Sequence, residues 1–324
     1  VLSRVAERMY WFGRYLERAE NTARLVNVNA SLLLDLPRMV RHIWDSLIDI
    51  CGSSDLFFSR HQKADEKSVI RFLLADESNP GSIIYSVRMV RENVRATREI
   101  MPSEAWEQIN ELYLFVKQHV NSALKGVGRH EFLDDVMRFC HQITGLLFGN
   151  MSHGEAYNFT RIGRNLERAD MTTRIVDVGC MNLLRRREDI PEAYVNILWM
   201  NVLRSLSAYQ MYRQHVLDRV NGEDVVAFLM KDQEFPRAVV HCLAELNYCV
   251  TQLPRNDHPL RSITHVQRAV AETDVARLLE SGLHEFIDAL QIDLAEIHAQ
   301  VTRTWFGYPL DTPEGVRTAQ PESG

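Results

Sequence analysis

The feature that most constrains this chain is that it repeats itself. Residues 6–28, AERMYWFGRYLERAENTARLVNV, return 150 positions later as AYNFTRIGRNLERADMTTRIVDV over 156–178, with 11 of 23 positions identical. The identities include Gly13/Gly163, Arg14/Arg164, Glu17/Glu167, Arg18/Arg168, Thr22/Thr172 and Arg24/Arg174. The echo continues in order. Trp44 aligns with Trp199 at offset 155, FLLADESNPGSI (72–83) with FLMKDQEFPRAV (228–239) at offset 156, and HEFLD (130–134) with HEFID (284–288) at offset 154. Colinear matches at nearly one offset imply two copies of one unit, about 1–150 and 151–306, packed as a pseudo-two-fold pair.

The unit is helical. Apolar residues recur with a 3.6-residue period and no alternating strand pattern stands out. Helices are expected over 2–34, 39–51, 66–75, 80–101, 103–124, 130–149, 154–186, 192–220, 223–231, 235–253, 261–282 and 284–305, separated by turn residues such as Leu36-Pro37, Asn79-Pro80, Ile190-Pro191 and Asn221-Gly222. The fold class is all-α, a single large helical bundle of two repeats. The Pro/Gly-rich stretch 307–324 reads as a flexible tail.

The repeated helix carries two stripes. At 100° per residue, Val5, Met9, Phe12, Leu16 and Ala23 form an apolar core stripe. Tyr10, Arg14, Glu17, Asn21, Arg24 and Val28 form a second stripe nearly opposite, matched by Thr160, Arg164, Glu167, Met171, Arg174 and Val178. An aromatic, a valine and a glycine border this second stripe, and lysine is absent from it. Such a helix is buried on both sides. Gly13 and Gly163 would let another backbone approach closely. The two helices should run through the middle of the bundle, their Arg–Glu stripes facing each other or a shared cavity.

Two readings of the stripes stay open. A buried Arg–Glu network can simply set register between halves, since i,i+3 and i,i+4 neighbours pair anyway. Alternatively Arg14, Arg18, Asn21, Arg24, Arg164, Arg168 and Arg174 bind an anionic group. Glu17-x-x-Glu20 and Glu167-x-x-Asp170 also place carboxylates on one helical side, the arrangement that holds Mg²⁺ or a metal pair in some bundles. Those four residues are the metal candidates, although arginines already flank them. No resident cofactor is expected.

The halves also differ. Arg88, Arg91, Arg95 and Arg98 line one face of a helix, where offset 156 finds Ala244, Asn247, Thr251 and Pro254. Arg88, Arg91 and Arg95 join the anion-binding candidates. In the second half Ser205, Tyr209 and Arg213 are expected along one helix row, with Tyr212 beside them as a core residue. His130-Glu131 and His284-Glu285 recur without the second histidine of a zinc-protease motif, and His153 could cap the second signature helix.

Composition excludes some partners. The formal net charge is −6, which lacks the basic footprint of nucleic-acid or anionic-membrane binding. Of 37 basic residues only Lys63, Lys67, Lys117, Lys125 and Lys231 are lysines; arginine suits buried pairs and bidentate anion contacts. Five scattered cysteines form neither a zinc pattern nor a disulfide framework and suit a reducing compartment. The amphipathic start and the lack of a long apolar run predict no leader and no membrane span, hence a cytoplasmic protein.

Those blocks together resemble the alpha-E family, a bacterial all-helical domain. LSRVAERMYWFGRYLERAENTARLV and RIGRNLERADMTTRIVDV carry the likeness, with FLLADESNPGSI, RENVRATRE, SAYQMYR and FPRAV in support, over residues 2 to about 306. The resemblance places the domain at 1–306 and points to Arg14, Glu17, Arg18, Glu20, Asn21, Arg24, Arg164, Glu167, Arg168, Asp170 and Arg174. Family genes typically lie beside a circularly permuted ATP-grasp protein and a transglutaminase-like protease, sometimes with a proteasome-like hydrolase. The resemblance thus implies a role in ATP-dependent amide-bond formation or peptide modification, as a helical partner of an ATP-grasp-type ligase. Two other expectations stand beside it: an enzyme using Glu17 and Glu167 on a peptide-like or diphosphate substrate, by acid–base work or Mg²⁺, and a purely structural scaffold.

Overall fold

The computed structural model describes residues 2–35, 43–184, 192–307 and 320. Among the described residues there are helices and no strands. The series is α1 (Ser3–Asp35), α2 (Ile43–Ile50), α3 (Ser54–Phe58), α4 (Glu66–Leu74), α5 (Ile83–Arg95), a 3-10 turn (Arg98–Ile100), α6 (Ser103–Leu124) and α7 (Arg129–Asn150). Then come α8 (Glu155–Leu184), α9 (Glu192–Ser205), α10 (Tyr209–His215), α11 (Gly222–Lys231), α12 (Val239–Thr251), α13 (Asp257–Glu272), α14 (Val275–Glu280) and α15 (Leu283–Trp305). Each half opens on its longest helix and closes on another long one, with α6 in the first half as long as the closing α7.

The two long helices α1 and α8 pack on each other at the centre, with α5 and α7 against α1 and α12 and α15 against α8. Every residue of α1 from Met9 to Val26 is buried, charged ones included. This is the two-sided burial that the paired stripes predict. The crossing depends on glycine. A Cβ at Gly13 would lie 2.2 Å from the carbonyl oxygen of Thr160, and one at Gly163 2.0 Å from that of Tyr10. Thr160 aligns with Tyr10 in the repeat, so each helix presents the same glycine to the same backbone position of the other.

Several helix boundaries differ from expectation. The stretch 80–101 starts late, at Ile83, because Ser82 caps α5 through the Tyr85 amide at 3.2 Å, and it splits after Arg95 into α5 and the 3-10 turn. The expected helix 192–220 breaks after Ser205, where Ser207 takes a left-handed φ of 53°, and ends at His215. Ser205 and Tyr209 therefore do not share a helix row. Arg213 instead donates to the Asp218 carbonyl at 2.6 Å, while Tyr212 is a core residue packed edge-on to Phe228. The span 261–282 is two helices beginning four residues earlier, and α3 was not expected. Positions 36–42 and 185–191, and the tail apart from Gly307 and Gln320, lie outside the described residues. Gln320 donates its backbone N–H to the Tyr15 hydroxyl at 2.8 Å and accepts from Asn93 Nδ2 at 2.8 Å.

Candidate functional site

Where α1 and α8 cross, the Glu-Arg dipeptide of each helix reaches for that of the other. Glu167 accepts from Arg18 Nε at 2.6 Å and Arg18 Nη2 at 2.9 Å, while Arg168 Nε lies 2.9 Å from Glu17. These groups are withdrawn from water, so their charges depend on mutual pairing. Around this cross-link the two carboxylates meet different surroundings.

On the Glu17 side the network is closed. Arg237, in the turn just before α12, donates through Nη1 to Glu17 at 2.6 Å and to Asn21 at 2.9 Å, and through Nη2 to Glu20. Glu20 also accepts from Arg24, one helical turn away, and lies 3.0 Å from His141 Nε2 on α7. Burial raises the Glu20 pKa, but the Arg237 and Arg24 guanidiniums outweigh it and hold the carboxyl well below its ordinary value. Thr172 fixes the supporting loop by donating to the Arg237 carbonyl at 2.8 Å. Arg164 stands beside this cluster with its buried Nε lacking a hydrogen-bond partner, and burial together with neighbouring Arg168 pulls its pKa down.

On the Glu167 side the network opens into a cavity of about 540 Å³. Arg14 adds a third hydrogen bond to Glu167, Nε to Oε2 at 2.7 Å. Burial pushes the Glu167 pKa up, yet Arg18 and Arg14 bring it down to about 2. Asp170 accepts from Arg174 Nε at 3.0 Å, an i,i+4 pair on α8. The guanidiniums are set by aromatic rings: Arg14 lies 5.5 Å from the centre of Trp11 and Arg18 5.3 Å from that of Tyr15. Tyr10 joins its hydroxyl to His298 Nδ1 at 2.6 Å, and His298 forms part of the cavity wall. The turn Asn79-Pro80-Gly81 makes another wall. Its Asn79 carboxamide accepts from the Gly81 amide at 2.9 Å and donates to the Phe72 carbonyl at 3.0 Å. Asp55 and Ile292, both exposed, also line the cavity and mark its opening to solvent.

The structure thus gathers some of the expected residues and separates others. Arg14, Arg18, Glu167, Asp170 and Arg174 line the cavity. Glu17, Glu20, Asn21, Arg24 and Arg168 belong to the closed network. Each carboxylate offered as a metal ligand has an arginine on it, which supplies the positive charge a cation would bring. Arg88, Arg91 and Arg95 do not reach the centre. They lie on the outside of α5, where Arg88 pairs with Glu77, Arg91 with Glu92 and Asn110, and Arg95 with Glu92. Arg91 also stands over the Tyr113 and Trp106 rings, and Arg98 over Trp106. The stripe's compensating partners are therefore carboxylates and rings of its own half.

Sequence reasoning missed Arg237 and His141, which close one side, and Gly81 and Ala295, which border the other. The repeated HEF motif has a local role. His130 sits 2.6 Å from Asn27 and 3.3 Å from Asp134; His284 sits 2.8 Å from Asp177 and 3.6 Å from Asp288. The ligand atoms of that second trio lie within 4.8 Å of one another. The hydrogen bond and charge of the Asp177 carboxylate raise the His284 pKa. His153 packs its ring on Tyr157 at 4.2 Å and hydrogen-bonds with the Phe148 carbonyl at 2.9 Å.

The fold and its crossed Glu-Arg pairs define an all-helical domain organised around two central charged helices. The chain belongs to the Alpha-E family, described as a predicted alpha-helical domain with a conserved ER motif, whose sequence profile matches residues 1–306. Of the chain's three ER dipeptides, Glu7-Arg8, Glu17-Arg18 and Glu167-Arg168, the last two are the pairs that cross at the centre. The chain is also 22% identical, over 92% of its length, to uncharacterised proteins of Mycobacterium bovis and of a Mycobacterium tuberculosis strain, and 21% identical to an uncharacterised protein of a second M. tuberculosis strain. It spans about a third of those relatives, 35% of each. No solved structure matches it.

Proposed function

We propose that this chain is a helical partner module of an ATP-grasp-type amide ligase system, and that its central cavity holds a ligand of that system. The observation that carries the ligand site is the solvent-open cavity whose walls present Arg14, Arg18 and Arg174 beside Glu167 and Asp170. Guanidiniums fixed by rings and carboxylates are preorganised to receive a carboxylate or phosphate, because their orientation is settled before the ligand arrives. The relatives' greater length supports a module that works beside further polypeptide. The alpha-E resemblance supplies the identity of the partner, with the transglutaminase-like protein as a second one.

The arrangement favours binding over acid–base catalysis by the two glutamates. Glu167 is held as a carboxylate by two guanidiniums, which leaves it no proton to give at neutral pH. Glu17 is engaged on both oxygens. A structural role for the Glu17 side is favoured by its closure, and it accompanies the ligand site on the other side. Five free thiols and the lack, among the described residues, of any helix able to cross a membrane fit a cytoplasmic location. Co-purification with the ATP-grasp protein of the same gene neighbourhood, and a change in that protein's ATP turnover on adding this chain, are the expected results. Separate elution with unchanged turnover would rule the partnership out.

A further inference from the structure

The closed side of the molecule shows what the open side is shaped to receive. At the offsets of the sequence repeat, Arg237 falls on Gly81 and His141 on Ala295, while Glu17, Glu20 and Asn21 fall on Glu167, Asp170 and Met171. The backbone agrees at the decisive place. Thr172 donates to the Arg237 carbonyl at 2.8 Å, and its match Thr22 donates to the Gly81 carbonyl at 3.2 Å. Gly81, Ala295, Glu167, Asp170 and Met171 all line the cavity. The space that Arg237 and His141 fill on one side is the space that two small residues leave open on the other.

We propose that the cavity receives a cationic head group, a guanidinium or a primary ammonium, seated where Arg237 sits on the other side and carried by an amino-acid-like ligand. The proposal rests on the reading of this cavity as the module's ligand site and names the ligand's class. On the closed side the guanidinium of Arg237 bridges both carboxylates and the Asn21 carboxamide. On the open side Arg18 and Arg14 take three hydrogen bonds to Glu167, and Asp170 Oδ1 takes one from Arg174. Among the described residues the hydrogen bond to Asp170 falls on Oδ1, which leaves Oδ2 open, and the Asp170 side chain is 21% exposed in the cavity wall. This oxygen is the acceptor for the incoming cation. Arg174, 26% exposed and paired with Asp170 among the described residues, is available for the ligand's carboxylate. The cavity thus offers opposite charges to the two ends of a zwitterion, and amide formation joins an amine to a carboxylate.

The test uses the full chain with L-arginine as probe and L-citrulline, its uncharged isostere, as control. Binding is followed through the Met171 and Ala295 methyl resonances and through the concentration dependence of Tm. Arginine should shift both methyls saturably and raise Tm, with citrulline about tenfold weaker or worse, the effect of losing a charge-assisted hydrogen bond. Gly81→Arg restores the plug from the 79–81 turn and Ala295→His from α15; each should abolish the arginine response. Gly81 has no left-handed φ, and a Cβ there would meet Asn79 Oδ1 at 3.3 Å, so the variant folds with a small local shift. Equal binding of arginine and citrulline would leave only an anion site and overturn the cation proposal. So would no binding of arginine, or binding that survives both plugs. The ligase partnership is decided separately, by co-elution and ATP turnover.

Discussion

Glu17 and Glu167 hold the same place in a repeated sequence, but their surroundings differ. Glu17 is sealed under Arg237, with Glu20, Arg24 and His141 completing the closure. Glu167 shares its arginines with a cavity open to water. The difference in closure follows two replacements, an arginine where the other half has glycine and a histidine where it has alanine, with Asn21 facing Arg237 where the other half has Met171. A buried ion pair needs every partner. The closed side therefore reads as structure, while on the open side Glu167 is paired by Arg14 and Arg18 and the neighbouring Asp170 faces the cavity in which the proposed ligand would sit.

The largest effect expected from disturbing this contrast is at Arg237. Arg237→Gly takes the bridging guanidinium from both Glu17 and Glu20, leaving Arg168 on one and Arg24 with His141 on the other, and should cost about 3–5 kcal/mol in urea unfolding, the usual penalty for breaking a buried pair. Low concentrations of methylguanidinium should restore part of the loss. Wild-type stability in this variant would mean that closure contributes nothing.

Gly13→Ala and Gly163→Ala come next. Each drives a methyl to within 2.2 Å of a backbone oxygen across the helix crossing, and each should cost about 3 kcal/mol or more, since neither helix can retreat without repacking. The contact is reciprocal, so the two losses should match. A large inequality would break the equivalence of the halves.

Acid separates the carboxylates further. Glu167 is held at about 2, below its ordinary value of 4.5. A depressed carboxyl contributes stability that is whole above about 4.5 and lost as pH falls through about 2. Roughly 3 kcal/mol should disappear across that window in wild type, and that share of the slope should be missing in Glu167→Gln. An unchanged slope would contradict the pairing with Arg14 and Arg18. The smallest effect belongs to the outer arginines. Arg95→Gln should change stability by less than about 0.5 kcal/mol, and Arg91→Gln, which loses two ring contacts, by about 1 kcal/mol. Neither should alter arginine binding.

Much of this was legible in the sequence. The two stripes of α1 announced burial on both sides, and Gly13 and Gly163 announced a close crossing, because each is a local property of one helix. Which arginine meets which glutamate was not legible, since that depends on how α1 and α8 are rotated against each other. Arg237 was hidden for a further reason. It lies more than 200 residues from Glu17 and its block reads as a turn before a helix. The signal that could have found it was the mismatch Gly81/Arg237 inside an otherwise matching block. The arginine row of α5 misled because a run of like charges draws the eye, while Glu77, Glu92, Trp106 and Tyr113 already answer it from nearby.

The most direct measurement is the crystal structure of Gly81→Arg. If the open side is the counterpart of the closed one with its plug removed, the new guanidinium will lie inside the cavity within hydrogen-bond distance of Asp170, as Arg237 lies against Glu20. An arginine turned out to solvent, with the cavity beside Glu167 unfilled, would contradict it.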